Sequence, residues 1–184
     1  MIRPELLGLK WNDADLILGE VSVTRSLHHL RDGSYVFTEP KSVKSRRTIA
    51  LPPSATLLLK EHWEKQRLDR AILGIPLTGD SLVFSRLEGK PLRPNTITRA
   101  WAVLAAHCGL KVIRLHDARH THASLMLKQG IHPKIVQERL GHASIQITLD
   151  TYSHVAPGLQ QAAAEGFDKL LNRKAEREVV EKFS

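Results

Sequence analysis

The first third of the chain alternates apolar and polar residues, which is the pattern of short β-strands. This alternation covers residues 19–24, 35–38 and 47–51. An Asp-Gly pair separates the first two segments, and a turn rich in Lys and Ser separates the last two. We therefore expect a small three-stranded antiparallel sheet near the N-terminus, preceded by a helix over residues 5–11.

After the sheet, apolar residues recur at helical spacing, with Pro in the first turn and Gly after the last turn of most segments. The pattern predicts a helix over residues 53–72, a helix that follows residues 91–95 and is closed by Gly109, and helices over 116–129, from Pro133 to Gly141, from Ser144 onward and over 159–183. The helices after residue 115 are short and start close to where the previous one stops, so their side chains can converge. The predicted fold class is α+β: mostly helical, with the small sheet.

The length of the chain favours one domain, which we assign to residues 1–156. With 184 residues and 42% hydrophobic content, the chain can bury a substantial core. Because its first helix begins so close to Met1, we expect that elements preceding this domain have been lost. Residues 157–184 follow a Pro-Gly break as a helical tail, which can pack on its own domain or in a groove of a neighbouring protomer.

The charge of the chain favours a polyanionic partner. Twenty-seven Lys and Arg against nineteen Asp and Glu give a formal net charge of +8. Such a charge attracts nucleic acid through electrostatic steering and counterion release. The sequence has no long apolar run and no strongly amphipathic basic helix, so nucleic acid is a better candidate than a membrane. We expect no small-molecule substrate.

Cysteine content and the N-terminus point to an intracellular protein. Cys108 is the single cysteine, which excludes an internal disulfide. Because it follows the apolar run of residues 100–106, we expect a core thiol. The start of the chain lacks the charged and apolar regions of an export signal, so we expect a cytoplasmic location.

Four side chains between residues 116 and 152 form a set suited to phosphodiester chemistry. Arg119 can bind two phosphate oxygens at once, and His116 lies one helical turn earlier on the same face. His142 follows a helix-ending Gly and can add a hydrogen bond. Tyr152 can act as a nucleophile if cations and a base help its proton to leave, because a free phenol has a pKa of about 10. Each residue alone has an ordinary structural explanation, and their joint spacing favours the catalytic one.

Other active-site chemistries fit the sequence less well. His116, His120 and His122 have spacings that can bind zinc on a helix, but the neighbouring Arg119 would place a cation beside the metal. The sequence also lacks the Gly-x-Ser-x-Gly motif of serine hydrolases and an activated cysteine. We expect neither a metal nor a cofactor.

Three segments resemble the boxes of the tyrosine recombinases, in particular the phage and transposon integrases. Residues 115–124, Leu-His-Asp-Ala-Arg-His-Thr-His-Ala-Ser, are similar to the His-x-x-Arg box of that family. Leu140-Gly141-His142 is similar to the second His box, and residues 147–154 to the segment that bears the nucleophile. The resemblance extends upstream through residues 5–11 and the Lys-rich hairpin, so it covers most of the chain.

The resemblance implies a catalytic domain that performs site-specific recombination or integration of double-stranded DNA without metal or cofactor. Tyr152 would attack a DNA phosphate, form a 3′-phosphotyrosyl bond and release a 5′-hydroxyl, and the 5′-hydroxyl of a second strand would reverse the attack. Arg119 and His142 would hold the phosphate, and His116 would handle the tyrosine proton. Family members usually act as tetramers on two duplexes and exchange a C-terminal segment, which suits residues 157–184.

The Lys-rich hairpin would supply the general acid in this family. Counting back from the strand at 47–51 assigns the role to Lys44, with Lys41 as the rival because the hairpin varies in length. The basic hairpin can lie along a DNA backbone, although a solvated hairpin has the same composition. Candidates for contacts with DNA are Arg3, Lys41, Arg46, Arg93 and Arg99.

One position departs from the family pattern. The first box of the family places an essential Arg three residues before the Glu that is Glu5 here, and that position holds Ile2. Arg3 is one residue too late, which turns a helical side chain by about 100°. We therefore expect weak cleavage unless Arg3 reaches the phosphate. The alternatives are a noncatalytic DNA-binding remnant and a topoisomerase of type IB, against which the integrase-like boxes argue.

Overall fold

A computed structural model of the protein describes residues 1–39, 46–110, 113–155, 164–165 and 167–168, with the side chains of residues 151–155 outside the description. The helices are α1 (Arg3–Leu7), α2 (Pro53–Ile72), α3 (Pro94–His107), α4 (Leu115–Lys128), α5 (Pro133–Leu140) and α6 (Ile145–Val155), with a 3-10 turn at Trp11–Asp13. The strands are β1 (Ala14–Asp15), β2 (Glu20–Val23), β3 (Ser26–His29), β4 (Tyr35–Thr38) and β5 (Arg47–Ala50). Helices dominate the described residues, which confirms the mostly helical α+β class.

Helix α1 is shorter than the helix predicted over residues 5–11. It ends at Leu7, and Lys10 instead forms an isolated antiparallel bridge with Leu82. Gly8 lies so close to β3 that an added Cβ would sit 3.1 Å from the amide nitrogen of Leu27. The close approach of the two backbones, which a residue with a side chain would disturb, seats α1 against β3.

The sheet is three-stranded and antiparallel, but its strands differ from those predicted. The strand order is β1-β2-β5, with Val21 opposite Ile49. The predicted membership of residues 35–38 is wrong, because both edges of β2 are occupied by β1 and β5. Those residues form β4, which pairs with β3 in a separate hairpin, closed by a bond of 2.8 Å from the Leu30 amide to the Ser34 carbonyl.

The core of the N-terminal half lies between the three-stranded sheet and α2. Its buried residues are Leu9, Trp11, Val21, Val23, Ile49 and Val83. Leu59 and Trp63 of α2 pack against them, and the rings of Trp11 and Trp63 meet edge to face at 4.9 Å. The indole nitrogen of Trp11 donates to Gln66 at 2.7 Å, so this buried polar atom has a partner.

The C-terminal half is a cluster of short helices. Ala123, Leu127, Val136 and Leu140 form the core between α4 and α5, and α6 packs against both helices. The chain reverses after α4 and after α5 at glycines with positive φ, as the Gly punctuation of the sequence predicts. These tight reversals bring the start of α4, the segment after α5 and α6 close together.

Two arginines join the N-terminal and C-terminal halves through hydrogen bonds that run in opposite directions. Arg47 of β5 donates from Nε to the Arg139 carbonyl of α5 at 3.2 Å. Arg139 in turn donates from Nη1 to the Ala50 carbonyl of β5 at 2.8 Å. The end of the sheet is therefore fixed to α5 by a reciprocal pair of side-chain to backbone bonds, which we call the arginine brace.

The prediction that Cys108 is a core thiol is wrong, because the residue is exposed. The apolar run before it lies in α3, and that helix turns only part of its surface inward. Val103 and Leu104 are also exposed, whereas Ala105 is buried. An apolar run in a helix at the edge of a domain therefore does not place each of its residues in the core.

The structure bears on the predictions about a membrane and about the C-terminal tail only within the described residues. Within the described ranges, no helix combines the length and the apolar character needed to cross a membrane. The proposed tail at residues 157–184 lies almost entirely outside the described residues. Its packing, and the domain boundary at residue 156, remain predictions.

Candidate active site

Arg119 lies in α4 with its guanidinium half-buried. Within the described part of the chain, its buried Nη1 has no hydrogen-bond partner. Burial, and secondarily the nearby Arg47, lower the pKa of Arg119, whereas Glu5 acts in the opposite direction. An arginine stays protonated at neutral pH even so, and an unsatisfied buried cation is costly. Arg119 is therefore prepared to bind an anion.

His116 lies in the first turn of α4, three residues before Arg119 and on the same side of the helix. Its ring is exposed and meets the ring of His120 edge to face at 4.8 Å. The imidazole is accessible to a ligand that binds at Arg119. This placement agrees with the proton-handling role predicted for His116, which remains a prediction.

His142 follows α5 and is partly buried. Its Nδ1 lies 2.9 Å from the hydroxyl of Thr148, a fully buried residue of α6. Burial lowers the pKa of His142, and the neighbouring Arg119, His120 and Arg47 lower it further. The lowered pKa favours the neutral imidazole, in which one ring nitrogen donates and the other accepts a hydrogen bond.

A cavity of about 730 Å³ and a groove of about 710 Å³ flank the segment from Arg139 to His142. The cavity lies between α1, α3 and α4 and includes Ile2, Arg3, His116 and Arg119. The groove lies between β5 and α5 and is lined by several cationic side chains, Arg46, Arg47, Lys134 and Arg139, together with His142. Positive charge on both sides of one segment suits a phosphate backbone that passes over it.

Two parts of the predicted catalytic set cannot be located in the structure. The backbone of Tyr152 belongs to α6, one helical turn after Thr148 and so on the same face, but its side chain lies outside the description. Lys44 and its rival Lys41 lie outside the described residues. Their roles remain predictions.

The candidate DNA contacts within the described ranges are all exposed. Arg3 donates from Nη1 to the Thr98 hydroxyl at 3.2 Å, which directs it toward α3. Arg46 forms an exposed ion pair with Glu39 at 2.6 Å. Arg93 and Arg99 lie at the start of α3 along a shallow surface depression. All four side chains can reach a polyanion, and their DNA contacts remain predictions.

Glu5 and Arg47 form a buried ion pair that the sequence did not reveal. The guanidinium donates two bonds to the carboxylate, at 3.0 and 2.8 Å, and the side chains are 11% and 8% exposed. Burial acts to raise the pKa of Glu5, but the hydrogen bonds from Arg47 and from the Ile2 amide outweigh it and hold the pKa below its usual value. Residues 42 positions apart in the sequence give no local signal of pairing.

Gly141 makes room for this ion pair. It has a φ of 69°, and an added Cβ would lie 2.7 Å from the Arg47 guanidinium. Gly130 also has a positive φ, 78°, but among the described residues nothing lies within 4 Å of the place that an added Cβ would occupy there. An alanine at Gly130 would therefore add backbone strain alone, whereas an alanine at Gly141 would add backbone strain and also displace Arg47.

We expect Gly141→Ala to destabilise the protein more than Gly130→Ala. Each substitution should cost about 1–2 kcal/mol, because an L-residue is placed in the left-handed region. Gly141→Ala should cost about 1 kcal/mol more, since Arg47 must give up part of its hydrogen bonding. Urea denaturation of both variants measures the difference, and equal losses would contradict the steric role.

His122 belongs to the structural support of the site. Its Nε2 accepts a hydrogen bond from Arg139 Nε at 3.3 Å. Partial burial, followed by the charge of Arg139, lowers the pKa of His122. An imidazole nitrogen that accepts from a guanidinium is not free to bind a metal. Within the described ranges, no three His, Cys, Asp or Glu side chains converge in a metal-binding group.

The sequence matches the Phage integrase family over residues 3–158. It is 36% identical over 167 residues to the ICEBs1 integrase of Bacillus subtilis strain 168, covering 91% of this chain and 45% of that protein. It is 30% identical over 177 residues to a XerC-like tyrosine recombinase of Caldanaerobacter subterraneus subsp. tengcongensis, covering 90% of this chain and 45% of that protein. The chain therefore spans about half the length of these relatives.

Solved structures support the same fold. A Tn1549 transposon integrase, solved in complex with transposon right end DNA, superposes with a TM-score of 0.72 at 22% identity, covering 90% of this chain and 53% of that chain. The XerA recombinase superposes with a TM-score of 0.62 at 22% identity, covering 89% and 52%. The chain belongs to the phage integrase family, and the resemblance to tyrosine recombinases is confirmed.

Proposed function

We propose that this chain is the catalytic domain of a site-specific recombinase that breaks and rejoins double-stranded DNA through a 3′-phosphotyrosyl intermediate. The buried Arg119 Nη1, which has no partner among the described residues, carries the proposal. A nonbridging phosphate oxygen would satisfy it, and a bidentate guanidinium contact is well suited to that anion. His116 lines the same cavity as Arg119, and His142 lines the neighbouring groove.

In the proposed reaction, the Tyr152 oxygen attacks the phosphorus as the bond from phosphorus to the 5′-oxygen breaks. His116 takes the phenolic proton, and Lys44 gives a proton to the departing 5′-oxygen. Arg119 and His142 bind the nonbridging oxygens, where charge develops in the transition state. The phosphotyrosyl bond retains the phosphoester energy, so a 5′-hydroxyl from another strand can reverse the step without a cofactor.

The basic surfaces around the site would bind the DNA duplex. The groove with Arg46 and Lys134 and the start of α3 with Arg93 and Arg99 would contact phosphates on either side of the scissile position. Such contacts fix the position of the protein on the duplex, and they make binding sensitive to salt. The exposed side chains at the start of α3, which also include Asn95, can reach base edges as well.

The proposed recombinase would act as an oligomer on DNA. We propose a tetramer on two duplexes, with residues 157–184 exchanged between neighbours, in the cytoplasm of a bacterial cell and encoded by its genome or by a phage. The chain covers about half of its relatives, one of which is itself named an integrase.

Covalent trapping tests the proposal. The chain is incubated with a library of nicked duplexes of randomised core sequence, from which the short 5′-hydroxyl fragment diffuses away after cleavage. We expect an adduct that survives detergent and maps by mass spectrometry to Tyr152. The matched Tyr152→Phe variant should bind the library and form no adduct. The trap is irreversible, so slow cleavage still accumulates product.

The competing function is that of a noncatalytic DNA-binding remnant, which Ile2 at the position of the first catalytic Arg favours. A remnant would bind the same duplexes in a salt-sensitive manner and form no adduct even after long incubation. That result would contradict the recombinase proposal. An adduct at Tyr152 would contradict the remnant.

A further inference from the structure

The hydroxyl of Thr148 is buried in the protein, away from solvent. The residue is 0% exposed, and its Oγ1 lies 2.9 Å from His142 Nδ1. A buried hydroxyl needs an acceptor for its proton. The imidazole is therefore part of the structural environment of Thr148 as well as part of the candidate active site.

Other helical threonines of the chain use a different acceptor. The hydroxyls of Thr56, Thr98 and Thr121 each donate to the carbonyl four residues earlier, at 3.4, 3.2 and 3.0 Å. Among the described residues, the Thr148 hydroxyl bonds to His142 and not to the carbonyl of Ser144. Its proton is therefore directed to Nδ1, which must be unprotonated to accept it.

We propose that Thr148 is a positioning residue that donates to His142 Nδ1 and thereby keeps the imidazole proton on Nε2. The Nε2–H group is then the donor that His142 offers to a nonbridging phosphate oxygen. This inference rests on the proposed recombinase function for its catalytic consequence, but the hydrogen bond and the tautomer exist without DNA. The opposite tautomer would leave the buried hydroxyl proton without an acceptor.

The same bond couples the imidazole to the helix of the nucleophile. Thr148 and Tyr152 lie one turn apart on one face of α6, and α6 packs against both α4 and α5. The imidazole of His142 therefore bonds to a side chain of α6, whereas the backbone of His142 bonds to Gln137 of α5. Thr148 and the backbone of Tyr152 belong to this one helix.

The tautomer can be read by NMR of the chain labelled with ¹⁵N at histidine, well above the ordinary imidazole pKa of about 6.5. For His142 we expect a protonated Nε2 and an unprotonated Nδ1 in the chain and in Thr148→Ser. The isosteric Thr148→Val should shift His142 toward a mixture of tautomers. Thr56→Val, which removes a hydroxyl bonded to a backbone carbonyl in α2, is the matched control and should leave the His142 signals in place. A protonated Nδ1 in the chain, or an unchanged tautomer in Thr148→Val, would overturn the inference.

Single-turnover cleavage of a trapped duplex measures the catalytic consequence. Thr148→Val should cleave about tenfold more slowly, because a misdirected donor costs transition-state stabilisation, and Thr148→Ser should recover most of the rate. Equal rates for the chain and Thr148→Val would overturn the positioning role. If no variant formed an adduct, the recombinase proposal would fail, while the NMR result would still decide the hydrogen bond.

Discussion

An Ile2→Arg variant is expected to cleave DNA about 10² to 10³ times faster than the unaltered chain, because one missing charge-stabilising donor typically costs that factor. Ile2 lines the same cavity as Arg119 and His116 and is 41% exposed, so a longer side chain can enter without displacing the core. The guanidinium would share the developing negative charge of the phosphate with Arg119. Single-turnover cleavage of a nicked suicide duplex measures the rate.

The expected acceleration would be smaller if Arg3 already supplied the charge that is missing at position 2. Its guanidinium donates to Thr98, which directs it toward α3. Ile2→Gln is the matched control, since it adds a polar group of similar reach without charge, and we expect little acceleration. Equal rates for Ile2→Arg and the chain would contradict the role of position 2. A large loss in Arg3→Ala would then assign the missing charge to Arg3.

Arg47→Met is expected to lower the free energy of unfolding by about 3–5 kcal/mol, because it leaves the Glu5 carboxylate buried without its cation. The methionine fills part of the space of the arginine stem, so loss of charge dominates over loss of packing. Arg46→Met is the matched control in the neighbouring position. Its exposed ion pair with Glu39 should contribute at most about 1 kcal/mol.

The pH dependence of the Arg47→Met effect follows from Glu5. The folded-state pKa of Glu5 is lowered, so its contribution is fully present above the unfolded pKa of about 4.3 and is lost as pH falls through the folded value. Urea denaturation at neutral pH should show the full difference between the chain and Arg47→Met, and the difference should narrow in acid. A Glu5→Leu/Arg47→Met double variant should recover much of the loss. A loss in Arg47→Met no larger than that in Arg46→Met would contradict the buried pair.

Helices α2 to α6 are predictable from the sequence because their ends are local. Pro at the first turn and Gly after the last turn act on the backbone within a few residues, as at Pro133 and Gly141. The sheet was less predictable, because pairing depends on partners far along the chain. Residues 35–38, Tyr-Val-Phe-Thr, have the composition of a core strand, yet all four are exposed. They pair with β3, because β2 already has a neighbour on each edge.

In the candidate site too, the residues placed by local spacing were predictable, and the contacts between distant residues were not. His116 and Arg119 follow from helical spacing, and the structure holds them on one side of α4. The supporting contacts were missed, because Glu5 meets Arg47 and His142 meets Thr148 only after folding. Thr148 carried one usable signal, a polar residue between apolar Ile147 and Leu149 at a helix position four before the candidate nucleophile.

The arginine brace has a mechanical consequence for DNA engagement. Its two bonds point in opposite directions between β5 and α5, so sliding one element along the other would break both. A displacement of β5 is therefore transmitted to α5 and to His142, whose backbone bonds to Gln137 of α5. A duplex that moves β5 through a phosphate contact at Arg46 would also move the imidazole of His142, so that docking and alignment of the phosphate occur as a single displacement.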